Sequence, residues 1–284
     1  MLKTKQKIAL AAAVQEIVMS IRRLLGKGPE TRVRRGEINW DLDLREGIDF
    51  SIWLLGAFEP RTVRYYQKLL QGGDVVLDIG ANVGAHTLPL ARAVGPSGMV
   101  YAFEPTDYAF AKLTKNCSLN PKLIPRIRCM QYMLVDSDGV GATTPGLYAS
   151  WPLKRSEDLH KLHQGRLMET TGAEARTLDS VVRSLNLDRV DCVKLDIDGF
   201  ECAMLRGARE VLRRWKPVII LELAPYALAE QGATVAELLH LLSECDYRLR
   251  YLSNGALLAS DPRTIEAQIP PGASVNVIAR PESM

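Results

Sequence analysis

Four short apolar runs in this chain each end in an acid: Val-Val-Leu before Asp78, Tyr-Ala-Phe before Glu104, Val-Lys-Leu before Asp196 and Ile-Ile-Leu before Glu222. Continuous apolar runs of this length, separated by stretches of helical periodicity, mark parallel strands buried on both faces. The chain must therefore build an α/β sheet with helices on either side. Each acid falls toward the carboxyl end of its strand, which is where open α/β sheets bind ligands. A single acid in that place is as easily a helix cap. Four on strands of one sheet point to a site.

The same reading places strands at 75–79, 99–103, 127–132, 190–197 and 218–223, with two more at 247–252 and 275–279 closing the chain. Helices are expected at 83–94, 108–119, 178–185, 202–214 and 235–245. Ahead of them, Leu10, Val14, Ile17, Ile21 and Leu24 recur at helical spacing and give an amphipathic helix over 5–25. Alternation around Val33, Ile38, Trp40, Leu42 and Leu44 gives a short hairpin over 32–44, and Pro60 starts a helix running through 63–70. The expected organisation is an N-terminal extension over 1–62 and one ligand-binding domain over 63–284. The segment 139–176 breaks the rhythm; rich in Thr, Gly, Pro and His, it is expected to form loops or a small hairpin over the sheet's edge.

Apolar residues make up 47% of the chain and charged residues 24%, which excludes wholesale disorder. A formal charge of +3 is too small for the concentrated basic footprint of a nucleic-acid partner. Five cysteines, an odd number with no Cys-x-x-Cys pair, suit a reducing, cytoplasmic setting. His160 and His163 have ligand-like spacing, but no cysteine or acidic cluster completes a metal site nearby. The apolar run 8–14 follows three lysines, yet Gln15 and Glu16 interrupt it too early for a signal peptide or a membrane span. Its helix is expected to pack on the protein's own core or on a second copy in a homo-oligomer. Lying on a membrane surface beside a lipid-linked substrate is the sharper alternative.

The first acid opens Asp78-Ile-Gly-Ala-Asn-Val-Gly84. Gly80 and Gly84 permit a tight turn and close approach of backbone to a ligand, and Asn82 tolerates positive φ better than most residues. A dinucleotide fingerprint is not met, because its second and third glycine places hold Asn82 and Ala85. A strand-end carboxylate also sits badly beside a pyrophosphate, and well beside the ammonium of an amino acid. Glu104, followed by Pro105, ends the next strand at the place from which a carboxylate accepts both ribose hydroxyls of an adenosine. Adenosine, an amino acid and no phosphate together describe S-adenosylmethionine. On the fourth strand, alternation puts Lys194, Asp196 and Asp198 on one face, with Gly199 turning the chain and Glu201 opening a helix. A lysine and two carboxylates are costly to desolvate unless they pair or bind something. They are either an ion pair that ends the strand or part of the crevice of Asp78 and Glu104, and the second reading is preferred.

These motifs, together with Phe103-Glu-Pro, Thr177-Leu-Asp, Val193-Lys-Leu-Asp-Ile-Asp-Gly-Phe-Glu201, Leu221-Glu-Leu-Ala-Pro225 and the upstream Gly56-Ala-Phe-Glu-Pro60, resemble the FkbM family of class I methyltransferases. The likeness runs from about residue 32 to residue 252. It implies a Rossmann-like α/β fold: a seven-stranded, mostly parallel sheet with the last strand antiparallel and helices on both faces. It implies S-adenosylmethionine bound over the first two strands, and O-methylation of a hydroxyl on a sugar, glycan or natural product. Asp78, Gly80, Ala81, Asn82 and Gly84 would form the cofactor loop, with Glu104 and Pro105 at the ribose. Lys194, Asp196, Asp198 and Glu201 match the family's fourth-strand motif, with Asp198 standing where glutamate is commoner.

Methyl transfer needs the acceptor oxygen in line with the S–CH3 bond, and a protonated alcohol is a poor nucleophile without a base or a metal-bound water beside it. Asp196 is the leading candidate for that base, with Asp198 and Glu222 next. Asp196 and Glu222 end adjacent strands, so a divalent metal has a place; against one stands Leu223, where magnesium-dependent methyltransferases resemble one another in a further acid or Asn. Amino-group methylation is the rival within the fold, but Asp196-Ile-Asp-Gly stands where such enzymes resemble one another in Asn-Pro-Pro-Tyr. A nicotinamide-dependent oxidoreductase fails on the glycine register, and a non-catalytic binding module is opposed by Lys194, Asp196 and Asp198. Selection of the acceptor is expected from 139–176, where Tyr148, Trp151, His160 and His163 stand.

Overall fold

The computed structural model describes residues 4–139, 146–154, 159–162 and 164–282, with side chains from residue 10 onward. The chain opens with α1 (Thr4–Leu24), the antiparallel pair β1 (Glu30–Arg35) and β2 (Ile38–Asp43), and the helices α2 (Gly47–Leu55) and α3 (Pro60–Leu69). Strands and helices then alternate through β3 (Val75–Ile79), α4 (Thr87–Ala93), β4 (Met99–Phe103), α5 (Asp107–Ser118) and β5 (Ile127–Met130). Four small strands interrupt the alternation: β6 (Tyr132–Leu134), β7 (Leu147–Ser150), β8 (Arg166–Met168) and β9 (Glu174–Arg176). It resumes with α6 (Leu178–Ser184), β10 (Cys192–Leu195), α7 (Glu201–Arg206), α8 (Arg209–Trp215) and β11 (Val218–Leu223). The chain closes with α9 (Pro225–Glu230), α10 (Val235–Ser243), β12 (Tyr247–Tyr251), α11 (Pro262–Gln268) and β13 (Val275–Pro281).

Seven strands pair in the order β12, β13, β11, β10, β3, β4, β5; β13 runs antiparallel to both neighbours and the remaining pairs are parallel. This is the expected Rossmann-like sheet, antiparallel last strand included. The chain winds outward from β3 to β5, then returns to place β10 on the other side of β3. The carboxyl ends of β3 and β10 therefore flank the switch point at which such sheets open a crevice.

Period-two alternation sends Leu77, Val193, Leu195 and Leu221 into one core, with side chains of α6, α7 and α10, and sends Val76, Cys192 and Ile220 into the other. Trp40, Leu42 and Leu44 of the hairpin region and Phe50 and Ile52 of α2 join that second core, so residues 38–52 close its face of the sheet. Burying such side chains contributes about 1.5–3 kcal/mol each.

The strands β3, β4 and β11 have the bounds expected of them. The fourth sheet strand stops at Leu195 rather than 197, because the backbone turns left-handed at Asp198 (φ 48°) and Gly199 (φ 101°). Asp198 thus stands in a turn, which corrects its placement on the face of Lys194 by alternation. The run 127–132 divides at Gln131, where β6 leaves the sheet to pair in parallel with β9. The helix expected over 202–214 breaks at Gly207, where an added Cβ would lie 2.1 Å from the Val135 carbonyl oxygen. Within 139–176, β7 and β8 form a small antiparallel pair. His163 and residues 140–145 and 155–158 of that segment lie outside the described residues.

Candidate functional site

A cavity of about 500 Å³ opens where β3, β4, β10 and β11 end, a size suited to a small organic ligand. Of the site residues expected from the sequence, Gly80, Ala81, Asn82, Glu104, Pro105, Asp196, Asp198 and Glu222 line it. Asp78, Gly84 and Lys194 lie behind its wall.

The loop after β3 takes its shape from its neighbours. Gly80 has φ 82°, and a Cβ there would fall 1.8 Å from the backbone oxygen of Asp196. At Gly84 (φ 89°) an added Cβ would press on Leu113 of α5 at 3.1 Å. Both glycines are demanded by the chain's own packing, while the backbone of 80–82 faces the cavity. Asn82 adopts the expected positive φ, 48°. Its N–H donates to Glu104 Oε2 at 2.9 Å, and its Nδ2 donates to the Ala149 carbonyl at 3.1 Å.

Glu104 is buried and accepts two more hydrogen bonds at Oε1, from the Thr106 N–H at 2.9 Å and the Thr106 hydroxyl at 2.5 Å. Burial raises its carboxyl above the ordinary range in spite of these three donors. Such a carboxylate is fixed in place before any ligand arrives. Beside it Phe103, Tyr132, Met133 and Leu134 form an apolar wall, the Phe103 and Tyr132 rings 6.5 Å apart.

Across the cavity, buried Lys194 donates to Asp196 Oδ2 at 2.8 Å. Burial works against the ammonium, but Asp196, Glu59 and Asp78 outweigh it and hold Lys194 above the ordinary lysine range. Burial, with Asp196, Glu201 and Glu104 adding to it, pushes the Asp198 carboxyl well up. Glu222 accepts from the Ser274 hydroxyl and is likewise pushed well up by burial and by Asp196 and Glu59. Glu201 braces the turn behind Asp198, accepting from the N–H groups of Ile197 at 3.3 Å and Gly199 at 3.4 Å, and burial raises it to about 7.

Two wall residues were not singled out from the sequence. Glu59 immediately precedes α3 with a left-handed φ of 45°. Its Oε1 accepts from Asn276 Nδ2 at 2.7 Å, and its Oε2 faces His86 Nε2 at 3.5 Å. Burial favours the neutral acid, but His86, Lys194 and Asn276 reverse this and bring Glu59 down to about 2. His86 precedes α4, with its Nδ1 3.4 Å from the Tyr66 hydroxyl. Glu59 Oε2 and His86 Nε2 are both buried without a full hydrogen bond among the described residues. Orphaned polar atoms on a cavity wall are the kind a ligand satisfies. Asp78, expected beside a ligand ammonium, lies behind the wall: its Oδ2 accepts from Thr87 Oγ1 at 2.6 Å, its Oδ1 is buried without a partner among the described residues, and burial raises its carboxyl.

The described lining residues include five carboxylates, those of Glu59, Glu104, Asp196, Asp198 and Glu222, and no Lys or Arg. Acidic groups with no basic side chain among them favour a cation and oppose phosphate, even with Asp198 and Glu222 pushed toward the neutral acid. Tyr148 and Trp151 also line the cavity. His160 is not on the wall; its ring meets Tyr148 edge-on at 5.0 Å, and its Nε2 is 3.2 Å from Glu230 Oε1. Among the described residues, no group of three or more His, Cys, Asp or Glu side chains is arranged to hold a metal ion.

The family model of the methyltransferase FkbM domain matches residues 78–249. The methyltransferase sdnD of Sordaria araneosa is 27% identical over 180 residues, which cover 52% of this chain and 69% of that protein. The hexuronic acid methyltransferase AglP of Haloferax volcanii is 26% identical over 162 residues, 57% of this chain and 61% of the relative. The 2-O-methyltransferase NoeI of Sinorhizobium fredii is 26% identical over 216 residues, 72% of this chain and 82% of the relative.

Proposed function

Since this chain belongs to the FkbM methyltransferase family, we propose that it transfers the methyl group of S-adenosylmethionine to a hydroxyl of a sugar, glycan or natural product. The observation that carries the reading is the acidic cavity, with five Asp and Glu side chains and no Lys or Arg among its described lining residues. S-adenosylmethionine brings a sulfonium, an ammonium and a ribose diol but no phosphate, so its charge suits these walls where that of a dinucleotide does not. The relatives AglP and NoeI, named for a hexuronic acid and for 2-O-methylation, favour a sugar hydroxyl as acceptor.

Glu104, pinned by Asn82 and Thr106, would take the ribose hydroxyls, with the adenine against the apolar wall of Phe103 and Met133. The backbone of Gly80, Ala81 and Asn82 would pass along the amino-acid portion. Glu59 and His86, whose unsatisfied atoms belong to wall residues, join Asp78 as groups for the amino-acid end; Asp78 Oδ1 is likewise unsatisfied, one layer behind the wall.

Bound S-adenosylmethionine supplies a methyl group already activated by its sulfonium. What remains for the protein is to aim a hydroxyl and take its proton. Asp196 is the base in this reading: one oxygen is held by Lys194, and no other described residue bonds its side chain, which leaves the second oxygen for the acceptor. Asp198 and Glu222, pushed toward the neutral acid, are better placed to donate hydrogen bonds to the acceptor than to remove its proton. Tyr148 and Trp151 offer ring faces for a sugar.

Asp196→Asn tests the assignment, because the amide still accepts from Lys194 but is no base. S-adenosylhomocysteine release with a panel of sugar acceptors should fall about 100-fold or more while S-adenosylmethionine affinity stays within a few-fold. Undiminished release by the variant would remove Asp196 from the reaction.

A further inference from the structure

Helix α1 presents two faces of different character. On one, Gln15 is buried and donates to the Leu44 carbonyl at 3.1 Å, and Val14, Val18 and Met19 pack against the core beneath the hairpin. On the other, Leu10, Ile17, Ile21 and Leu24 are 52–87% exposed. At 100° per residue these four fall on one narrow stripe, about 21 Å long at helical rise. Leu25 extends it, and α2, which packs on α1, adds exposed Leu54 and Leu55. Leu55 and Ala11 also line the cavity, so this apolar surface reaches the cavity's rim.

The charge of the same segment is one-sided. Residues 1–27 hold Lys3, Lys5, Lys7, Arg22, Arg23 and Lys27 against a single acid, Glu16. Arg22 bonds the Gly28 carbonyl at 2.9 Å and Arg23 the Met19 carbonyl at 3.3 Å, both neutral acceptors, so neither charge is cancelled. No helix of the described residues is long and apolar enough to cross a membrane.

We propose that α1 docks this protein on an anionic membrane surface, with its apolar stripe at the acyl boundary and Arg22, Arg23 and Lys27 among the head groups, so that the cavity rim faces the bilayer. An exposed apolar stripe with unneutralised basic residues is the pattern that binds in the plane of an anionic interface. A second copy of the chain fits less well, since a twofold pairing of this surface sets one basic segment against another. The docking does not rest on the methyl-transfer reading. With that reading, it makes the acceptor a hydroxyl presented at the membrane, as on a lipid-linked sugar.

Sedimentation of the full chain with vesicles tests this. Vesicles of equal parts phosphatidylcholine and phosphatidylglycerol should carry the protein down, and phosphatidylcholine alone should carry about tenfold less. Ile17→Glu with Ile21→Glu, and separately Arg23→Glu with Lys27→Glu, should each lower anionic-vesicle binding about tenfold or more. All four positions are exposed, and circular dichroism together with S-adenosylmethionine titration should match the unaltered protein. Failure of the unaltered protein to sediment with anionic vesicles would overturn the proposal. So would unchanged binding by either double variant, or a dimer in analytical ultracentrifugation that Ile17→Glu with Ile21→Glu splits while vesicle binding is absent. If vesicle binding holds but no S-adenosylmethionine binds, the methyl-transfer reading fails and the docking stands.

Discussion

Glu201→Gln separates the charge of this side chain from its shape. Glu201 is buried behind the turn that carries Asp198, and burial raises it from an ordinary 4.5 to about 7. Its folded pKa lies above its unfolded one, so its contribution to stability is present in full below about 4.5 and is lost as pH rises through about 7. A difference of about 2.5 units at 1.36 kcal/mol per unit makes the penalty about 3 kcal/mol above pH 8. Glutamine keeps an oxygen for the Ile197 and Gly199 N–H groups and never ionises. The variant should therefore be more stable than the natural protein at about pH 8, and the gap between them should shrink by roughly 2–3 kcal/mol at about pH 5. Urea unfolding followed by circular dichroism at both pH values measures it. A gap that does not change with pH would refute the claim that Glu201 is charged only at a cost.

Gly80→Ala should prevent folding or lower the melting temperature by 10 °C or more, about 3 kcal/mol or above, because φ 82° and the Asp196 carbonyl both exclude a Cβ; thermal unfolding decides it. Glu59→Gln should lose up to about 3 kcal/mol near neutrality, since a carboxyl held at about 2 contributes stability above about 4.5 that is lost as pH falls through 2. The Glu59→Gln deficit should narrow in urea titrations taken toward about pH 3, and calorimetry should show weaker S-adenosylmethionine binding, about tenfold.

The parts of this molecule that were legible in advance are those governed by local chemistry. β3, β4 and β11 are apolar runs on both faces with an acid at or beside the carboxyl end, so their bounds and the cavity residues Glu104 and Glu222 followed from the order of residues along each run. Asn82 and Gly80 declared their backbone conformations by residue type. What was not legible depends on tertiary neighbours. Position 207, where the helix breaks, must be glycine because Val135 passes there, and β10 ends early as the chain turns left-handed at Asp198. α2 is apolar around most of its circumference, which leaves no helical period to detect. Glu59 lies far upstream of the sheet and reaches the cavity through a left-handed backbone step, for which a Glu-Pro pair at a helix start is a faint signal. Asp78, near the end of β3, spends one oxygen on Thr87 from behind the cavity wall and leaves Oδ1 without a partner among the described residues, an arrangement its place on the strand did not reveal.

Isothermal titration of the full chain with S-adenosylmethionine and with NADH, repeated on Glu104→Gln, tests the acidic cavity most directly. S-adenosylmethionine should bind the natural protein, NADH should not, and Glu104→Gln should weaken the methyl donor's binding about 10- to 100-fold, the loss of charge-assisted hydrogen bonds to a diol. Binding of NADH, or S-adenosylmethionine affinity unchanged by Glu104→Gln, would contradict the assignment of these carboxylates to a phosphate-free, cationic nucleoside.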